Sequence, residues 1–324
     1  MNVVLLFNSR AGSATLIEER LRALSRKSHV RVIALDSDAA RNEIERSWDR
    51  WPEARWIVAG GDGTLHRLIN QLHEISPDRL SNLELGIVPA GTGNDFARGI
   101  GAQLGDLDLL CRDDIESQVH AVDLMRVHHG TNERPNICLN SATGGVGGEI
   151  AERLEAGDKK MWGPFAYWVS VVASLADLHG YHLTLELVDE SGAALHRQVD
   201  AYGVIVSNGQ FIGGGFPIAP QAAIDDGLLD VTFIMARPGL ELMAAGLVAA
   251  AGHTEHSSAI ERYRAKQLRL HAEPPLPFSI DGEPTRTLDA RFDVLPRALK
   301  VVVLHEAPGI RHTQLPSGPA ELQE

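Results

Sequence analysis

The chain has 324 residues, of which 44% are hydrophobic and 23% charged, a composition typical of a globular protein with room for two domains. Its 43 acidic residues outnumber its 30 lysines and arginines. The resulting formal net charge of −13 argues against nucleic acid as a partner and against general binding to anionic membranes. Two cysteines cannot form a disulfide framework, and the first residues lack the charged region and cleavage site of a signal peptide. We therefore expect a reduced, cytoplasmic protein.

Strand and helix patterns alternate along residues 1–118. Strand-like apolar runs occupy 2–7, 29–35, 55–59 and 83–89, and helical periodicity occupies 14–27, 39–50 and 64–75. This order predicts an α/β nucleotide-binding domain with a parallel, Rossmann-like or phosphofructokinase-like sheet. Its ligands should lie at the carboxyl ends of the strands.

The pattern changes over residues 119–306, where alternating or extended runs separated by turn residues predict a second, mainly antiparallel β domain. Helices are expected near 148–156 and 162–177, and a flexible tail over 307–324. The apolar runs 161–176 and 242–252 are shorter than the roughly 20 residues that span a bilayer. Arg153, Lys159 and Lys160 precede the aromatic residues of the first run, a pattern that fits either a membrane-docking face or an ordinary solvated helix.

A glycine-rich turn, Gly60-Gly61-Asp62-Gly63-Thr64, joins the third predicted strand to the helix that follows it. Glycines let a ligand approach the backbone closely, and a helix amino terminus offers free N–H donors to an anion. The aspartate in this turn has two interpretations. It caps its helix, or it holds Mg²⁺ or the water shell of that ion against phosphates.

A second turn, residues 90–95 (AGTGND), repeats the strand–turn–helix arrangement. Because consecutive parallel strands bring their carboxyl ends together, the two turns should meet, and the loop that starts at Asn8 should join the same edge. Hydroxyl groups, backbone donors and two acidic side chains would then converge, a combination suited to a nucleotide with Mg²⁺. The sequence contains neither a Walker P-loop nor a dinucleotide-binding fingerprint.

Five sequence elements carry a family resemblance. The chain contains, in order, GGDGTLHRLIN, PAGTGNDFAR, KKMWGPFAYWVSVVASL, SNGQFIGGGFPIAPQAAIDDGLLDV and FSIDGEP. Asn8 and Gly12 also fit an opening N-P-x-x-G element in which Ser9 replaces the proline. Together these elements resemble the catalytic domain of diacylglycerol kinases, particularly the soluble bacterial lipid kinases. GGDGT alone is shared with NAD kinases and phosphofructokinases, whereas the five elements in this order are specific.

The resemblance implies an enzyme that uses ATP and Mg²⁺ and in which Glu283 is the general base that accepts the proton of the lipid hydroxyl. Asp62 would be a catalytic residue near the triphosphate, and Asn94 would support the second turn. The ATP-site residues implied by the resemblance are Asn8, Gly60, Gly61, Asp62, Gly63, Thr64, Leu65, His66, Gly91, Thr92 and Asn94.

The resemblance also implies an accessory cation site, formed by the carboxylate of Asp226 and the backbone carbonyls of Ala223 and Leu228. It leaves open whether Mg²⁺ or Ca²⁺ is preferred there. Relatives often carry a nucleotide-contacting threonine after the second strand, where this chain has residues 35–38 (LDSD). No contact is therefore assigned to those positions.

The segment FSIDGE holds two further acidic residues. If it is extended, Asp281 and Glu283 point to the same face, and we predict both as catalytic residues, with Gly282 allowing close approach. The alternative interpretation is an ordinary Asp-Gly hairpin turn.

The principal hypothesis is phosphoryl transfer from ATP to the hydroxyl of a lipid such as diacylglycerol or phosphatidylglycerol, a reaction of phospholipid biosynthesis. We expect ATP between the domains, a membrane-derived lipid in an apolar cleft of the second domain, and transient peripheral contact with the membrane. The alternatives are an NAD kinase and a non-catalytic sensor of nucleotide or lipid. The sequence does not identify the lipid. It also leaves the oligomeric state open, with a homodimer as one possibility.

Overall fold

The computed structural model describes residues 1–9, 13–37, 39–112, 118–130, 134–145, 180–238, 241 and 258–311. The helices expected near 148–156 and 162–177, the apolar run 242–252 and the basic residues Arg153, Lys159 and Lys160 lie outside the described residues. Within the described ranges, no helix combines the length and apolar character needed to cross a membrane.

The first unit is built on four parallel strands in the order β2-β1-β3-β4. The strands are β1 (Val3–Phe7), β2 (Val30–Ala34), β3 (Arg55–Gly60) and β4 (Glu84–Pro89). The helices are α1 (Ala14–Leu24), α2 (Ala40–Arg50), α3 (Asp62–Ile75), α4 (Pro77–Leu80), α5 (Asp95–Gly99) and α6 (Leu107–Leu110). The four strands and three long helices expected in this part of the sequence are confirmed.

Both faces of this sheet are covered, which explains why its strands are continuous apolar runs. Alternate residues of β1 pack on opposite sides: Val4 and Leu6 join the core under α2 and α3, whereas Val3 and Leu5 join the core under α1. The parallel register leaves the carboxyl ends of β1, β3 and β4 side by side at one edge.

The second unit is antiparallel, as expected from its alternating pattern. Its strands are β5 (Gln118–His129), β6 (Asn136–Cys138), β7 (Ser141–Gly145), β8 (Tyr181–Val188), β9 (Ala194–Ser207), β10 (Leu229–Met235), β11 (Ile260–Ala265), β12 (Gln267–Ile280) and β13 (Glu283–Val303). Strand β8 alternates strictly between buried and exposed side chains, so one of its faces covers the second core and the other meets solvent.

The 21-residue strand β13 connects the two units. It pairs antiparallel with β12 and β5, and near its end Lys300 and Val301 pair parallel with β4. Leu299 and Val301 are therefore buried in the core of the first unit. The end of β13 thus belongs to the sheet of the first unit. The domain boundary at residue 118 stays a prediction, and β13 crosses from one unit to the other.

The prediction of a flexible tail places its start, at residue 307, too early in the chain. Ala307 and Ile310 are only 4% and 5% exposed and pack in the first core, which ties down residues 307–311. The sequence signal failed because these two apolar residues are isolated in a Pro- and Gly-rich segment. Residues 312–324 lie outside the described part of the chain.

Candidate functional site

The glycine-rich turns meet at the carboxyl edge of the parallel strands, as the strand order predicts. A Cβ added at Gly91 would lie 2.4 Å from Cα of Gly61, so glycine is required where the two turns touch. The side-chain amide of Asn8, after β1, donates to Oγ1 of Thr64 at 3.3 Å. Three strand ends thus contribute to one compact polar edge.

Asp62 links the two turns through its carboxylate. The backbone N–H of Asp95 donates to Oδ2 of Asp62 at 3.1 Å, and that of Phe96 donates to Oδ1 at 3.2 Å. Asp62 therefore caps α5 rather than its own helix α3, whose N-cap residue is Gly61. Burial, reinforced by the charge of Asp95 and opposed by the two N–H donors, raises the pKa of Asp62 to about 6.

Asp95 is a second acid at this edge that the predicted site residues omitted. Its Oδ2 accepts the N–H of Gly214 at 3.0 Å, which ties α5 to the triple-glycine loop of the second unit. Its Oδ1 is buried and has no hydrogen-bond partner among the described residues. Burial raises the pKa of Asp95 even though N–H groups of the loop and the charge of Arg98 lower it. The sequence signal that could have identified Asp95 was its position at the end of the second glycine-rich turn, GTGND.

The other predicted site residues of the two turns differ in hydrogen bonding and in burial. Asn94 has φ of 55° and closes its own turn, since Gly91 N–H donates to its Oδ1 at 3.0 Å and its Nδ2 donates to Gly91 O at 2.7 Å. Thr92 is exposed, whereas the side chains of Leu65 and His66 are buried. The backbone N–H of Leu65 already donates to Gly61 O at 3.1 Å.

Asp281 lies in a turn, so the extended conformation predicted for its segment is wrong. Asp281 and Gly282 both have positive φ, 48° and 92°, and form the two-residue turn between β12 and β13. The Asp281 side chain is only 2% exposed and points away from solvent. Glu283, at the first position of β13, is exposed. The two carboxylates therefore do not present one common face.

The Asp281 carboxylate is enclosed by protein donors. The N–H groups of Leu139, Asn140 and Ser141 and the thiol of Cys138 all donate to it, at 2.8 to 3.2 Å. Burial alone would raise the pKa of Asp281, but the hydrogen bond and charge of His66 and these N–H donors hold it below its ordinary range. Asp281 is a positioning residue in this geometry and leaves no face for a substrate hydroxyl.

His66 joins this turn to the first unit. Its Nδ1 lies 3.0 Å from Oδ2 of Asp281, so α3 and the β12–β13 hairpin meet through a buried pair. One turn later, Asn70 donates from Nδ2 to Ile137 O at 2.7 Å and accepts the Ile137 N–H at Oδ1 at 2.8 Å. Sequence analysis missed Asn70, although a polar residue on the buried side of an amphipathic helix was a usable signal.

Glu283 lies where the two units face each other. A Cβ added at Gly63 would be 3.5 Å from Oε1 of Glu283, so this carboxylate lies close to the start of α3. Beside it is a cleft of about 770 Å³. Its charged and polar lining includes Arg41, His66, Arg67, Asn70, His73, Glu74, Arg134 and Glu283. This cleft is polar; the expected apolar cleft stays a prediction, because residues 146–179 are outside the described ranges.

The implied accessory cation site does not fit its carboxylate. Oδ2 of Asp226 binds Nη2 of Arg264 and lies 3.4 Å from Nη1 of Arg311, and Oδ1 accepts the N–H of Leu228 at 3.1 Å. Across the described residues, no three His, Cys, Asp or Glu side chains are grouped to hold a metal ion. The carboxylate of Asp226 is already neutralised by guanidinium groups.

Comparison with known families identifies both units. Residues 2–127 match the diacylglycerol kinase catalytic domain, and residues 140–303 match the YegS C-terminal NAD kinase beta sandwich-like domain. A relative from Xanthomonas oryzae pv. oryzae named "Probable lipid kinase YegS-like" is 30% identical over 313 residues, covering 94% of this chain and 96% of the relative.

Solved structures share the fold. A diacylglycerol kinase from Bacillus anthracis str. Sterne superposes with a TM-score of 0.63 at 18% identity, covering 94% of this chain and 97% of that one. Yeast NADH kinase complexed with NADH superposes with a TM-score of 0.55 at 10% identity, covering 95% and 84%. At these identities the likeness concerns the fold: an amino-terminal catalytic unit followed by a β unit.

Proposed function

The chain belongs to the family of YegS-like lipid kinases that join a diacylglycerol kinase catalytic domain to a YegS C-terminal domain, and from this premise we propose an ATP- and Mg²⁺-dependent phosphoryl transfer to a lipid hydroxyl. The donor site is the edge formed by Asn8, Gly60–Thr64 and residues 90–95. The parallel strands behind it support describing the first unit as a Rossmann-like or phosphofructokinase-like nucleotide-binding layer.

One observation carries the proposal: Oε1 of Glu283 lies against Gly63, at the amino terminus of α3. A phosphate group bound by the N–H groups of that terminus would be within reach of an acceptor hydroxyl held by Glu283. Exposure of Glu283 leaves its carboxylate free to contact a substrate, in contrast to the enclosed Asp281.

The proposed reaction moves one phosphoryl group and one proton. The acceptor oxygen forms a bond to the γ-phosphorus as the bond from phosphorus to the β,γ-bridging oxygen breaks, and ADP leaves. The hydroxyl proton passes to the Glu283 carboxylate. Asp281 contributes by holding the turn that presents Glu283, since its carboxylate fixes the backbone of residues 139–141.

The donor edge fits a cation better than the Asp226 turn does. Asp62 and Asp95 have raised pKa values, chiefly because both are buried, and the charge of Arg98 opposes the shift at Asp95. The buried, unpartnered Oδ1 of Asp95 is an acceptor that a water of hydrated Mg²⁺ would satisfy. When bound with the nucleotide, Mg²⁺ would neutralise charge on the β- and γ-phosphates.

The polar cleft favours an acceptor with an anionic headgroup. Arg67 and Arg134 line it beside Glu283 on a protein whose net charge is −13, whereas Arg41, a third arginine of the lining, is paired with Glu45 and Glu74. Phosphatidylglycerol carries both a phosphate and a free hydroxyl and matches this cleft better than diacylglycerol does. We propose transient peripheral contact with the membrane during turnover, since such a lipid resides there.

The test is a lipid panel with purified protein and Mg-ATP labelled in the γ-phosphate. We expect label in phosphatidylglycerol, diacylglycerol or a sphingoid lipid, with product mass raised by one phosphoryl group. Transfer to none of them would refute the proposal. The alternative of an NAD kinase, which the fold shared with yeast NADH kinase keeps relevant, predicts ATP-dependent formation of NADP instead.

A matched pair of variants separates a kinase from a nucleotide or lipid sensor. Glu283→Gln removes the proposed base and should lower kcat by about 10²- to 10⁴-fold with little change in nucleotide affinity. Glu273→Gln changes an exposed glutamate on β12 away from the donor edge and should leave kcat unchanged. A sensor would behave alike in both variants.

A further inference from the structure

The turn that follows the triple-glycine block, residues 223–230, concentrates acid in a partly buried place. Its members Asp225, Asp226 and Asp230 lie within six residues, and the side chains of the last two are only 9% and 13% exposed. Buried carboxylates of this kind require a positive charge or N–H donors. The source of that positive charge determines whether the turn needs a metal.

Arg264 supplies one positive charge from β11. Its Nη2 binds Oδ2 of Asp226, and its Nε lies 3.9 Å from Oδ1 of Asp230. One guanidinium therefore serves two carboxylates of the turn. The side chain is 31% exposed, so it is held between the turn and the adjacent sheet.

Arg311 supplies a second positive charge from the end of the described chain. Its Nη1 lies 3.4 Å from the same Oδ2 of Asp226, and its Nη2 donates to Gln221 O at 2.6 Å. Its backbone N–H donates to Oδ1 of Asp225 at 3.0 Å. Two guanidinium groups thus balance the two buried carboxylates, and a divalent ion added at Asp226 would meet two like charges.

Neighbouring acceptors are also in use. Asp123 on β5 accepts the N–H of Gly227 at 2.6 Å and that of Arg297 at 2.8 Å. The carbonyl of Ile224 accepts the N–H of Asp123 at 2.5 Å. These hydrogen bonds hold the turn against β5 and against the backbone of Arg297.

We propose that the guanidinium groups of Arg264 and Arg311 replace a resident divalent cation at the Asp226 turn, so that this turn folds without Mg²⁺ or Ca²⁺. The inference concerns the folded protein without nucleotide and does not depend on the lipid-kinase proposal. It predicts that the divalent ion requirement of catalysis belongs to the nucleotide alone.

The first test uses the full-length wild-type protein without nucleotide. Metal analysis after dialysis should find far less than one Mg²⁺ or Ca²⁺ per chain. Thermal unfolding midpoints in EDTA, in millimolar MgCl₂ and in millimolar CaCl₂ should agree within about 1 °C, because a ligand that does not bind the folded state cannot stabilise it. A stoichiometric metal, or a clear fall in midpoint with EDTA, would overturn the proposal.

The second test removes the internal charge. Arg264→Gln should lower the midpoint by several degrees in EDTA, and millimolar Mg²⁺ or Ca²⁺ should restore part of the loss, since the carboxylates then lack a counter-charge. Arg269→Gln is the matched control, because Arg269 forms an exposed pair with Glu186 on the same sheet. Destabilisation of the Arg264 variant with no recovery in either metal would count against the idea that its guanidinium stands in for a cation. If that variant does not fold, the wild-type metal content and EDTA comparison decide the question.

Discussion

Two acidic turns of this protein carry the same residue type in opposite electrostatic settings. Asp62, in the first unit, accepts the backbone N–H groups of Asp95 and Phe96 and faces another acid, Asp95. Asp226, in the second unit, meets two guanidinium groups. Burial raises the pKa of both carboxyls, but only at Asp226 do nearby arginines oppose the shift.

The difference shows where a positive charge from outside the chain is needed. At Asp226 the chain provides its own counter-charge, so the acid fixes a turn. At Asp62 the bound groups are backbone N–H donors, and an incoming cation or its waters would relieve the desolvated acids. A glycine-bordered aspartate therefore has no single meaning; the groups that pack against it decide its role.

The largest effect is expected when the unbalanced acid is removed. Asp62→Asn should retain the fold and lower kcat by about 10²- to 10³-fold, because it removes charge and an acceptor beside the transferred phosphate. Initial rates with Mg-ATP and circular dichroism would measure the two properties. Asp49→Asn, at an exposed site on α2, is the control and should keep full activity. Full activity in the Asp62 variant would make this residue only the cap of α5.

The pH dependence of stability tests the same acid without a substrate. A pKa of about 6 for Asp62, raised from 3.8, means that its protonated form is favoured in the folded state. Its stabilising contribution is complete below pH 3.8 and is lost as pH rises through about 6, a change of roughly 3 kcal/mol. Urea unfolding of wild type and Asp62→Asn should show the wild type losing about that much relative to the variant from pH 4 to 7. Asp230, also raised to about 6, titrates in both proteins and cancels in the difference.

Removal of the balanced acid should affect stability rather than catalysis. Asp226→Asn leaves two guanidinium groups without their carboxylate, and we expect a loss of about 2 kcal/mol in unfolding free energy, reduced by their partial exposure. Asp200→Asn breaks an exposed pair with His182 and should cost less than about 0.5 kcal/mol. Denaturant unfolding gives both values. A large loss of kcat in the Asp226 variant, with stability unchanged, would reverse the comparison.

The smallest effect concerns the positive charge that the polar cleft presents to the acceptor. Arg134→Gln, in the polar cleft, should raise KM for phosphatidylglycerol about fivefold, or roughly 1 kcal/mol, with less effect on diacylglycerol. Arg20→Gln is the control. Arg20 on α1 pairs with Asp108, and both lie on the face of the sheet opposite α3. Equal changes for both lipids would argue that Arg134 does not contact a headgroup phosphate.

Sequence patterns located the elements of the first unit and the place where its turns meet. They succeeded because apolar periodicity, glycines and strand ends are local properties, and because parallel strands necessarily place their carboxyl ends together. They failed at Asp281, whose Asp-Gly turn was available as an alternative but lost to an extended interpretation. The enclosure of that carboxylate comes from residues 138–141, about 140 positions earlier.

By itself, the sequence determined which segments are strands, which glycines border the donor edge and which carboxylates are close along the chain. The tertiary structure decided what each carboxylate contacts. Asp62 reaches the amino terminus of a helix 33 residues later, and Asp226 is met by Arg264, 38 residues away. Charge interactions depend on distance in space and on burial, and neither quantity follows from separation along the chain.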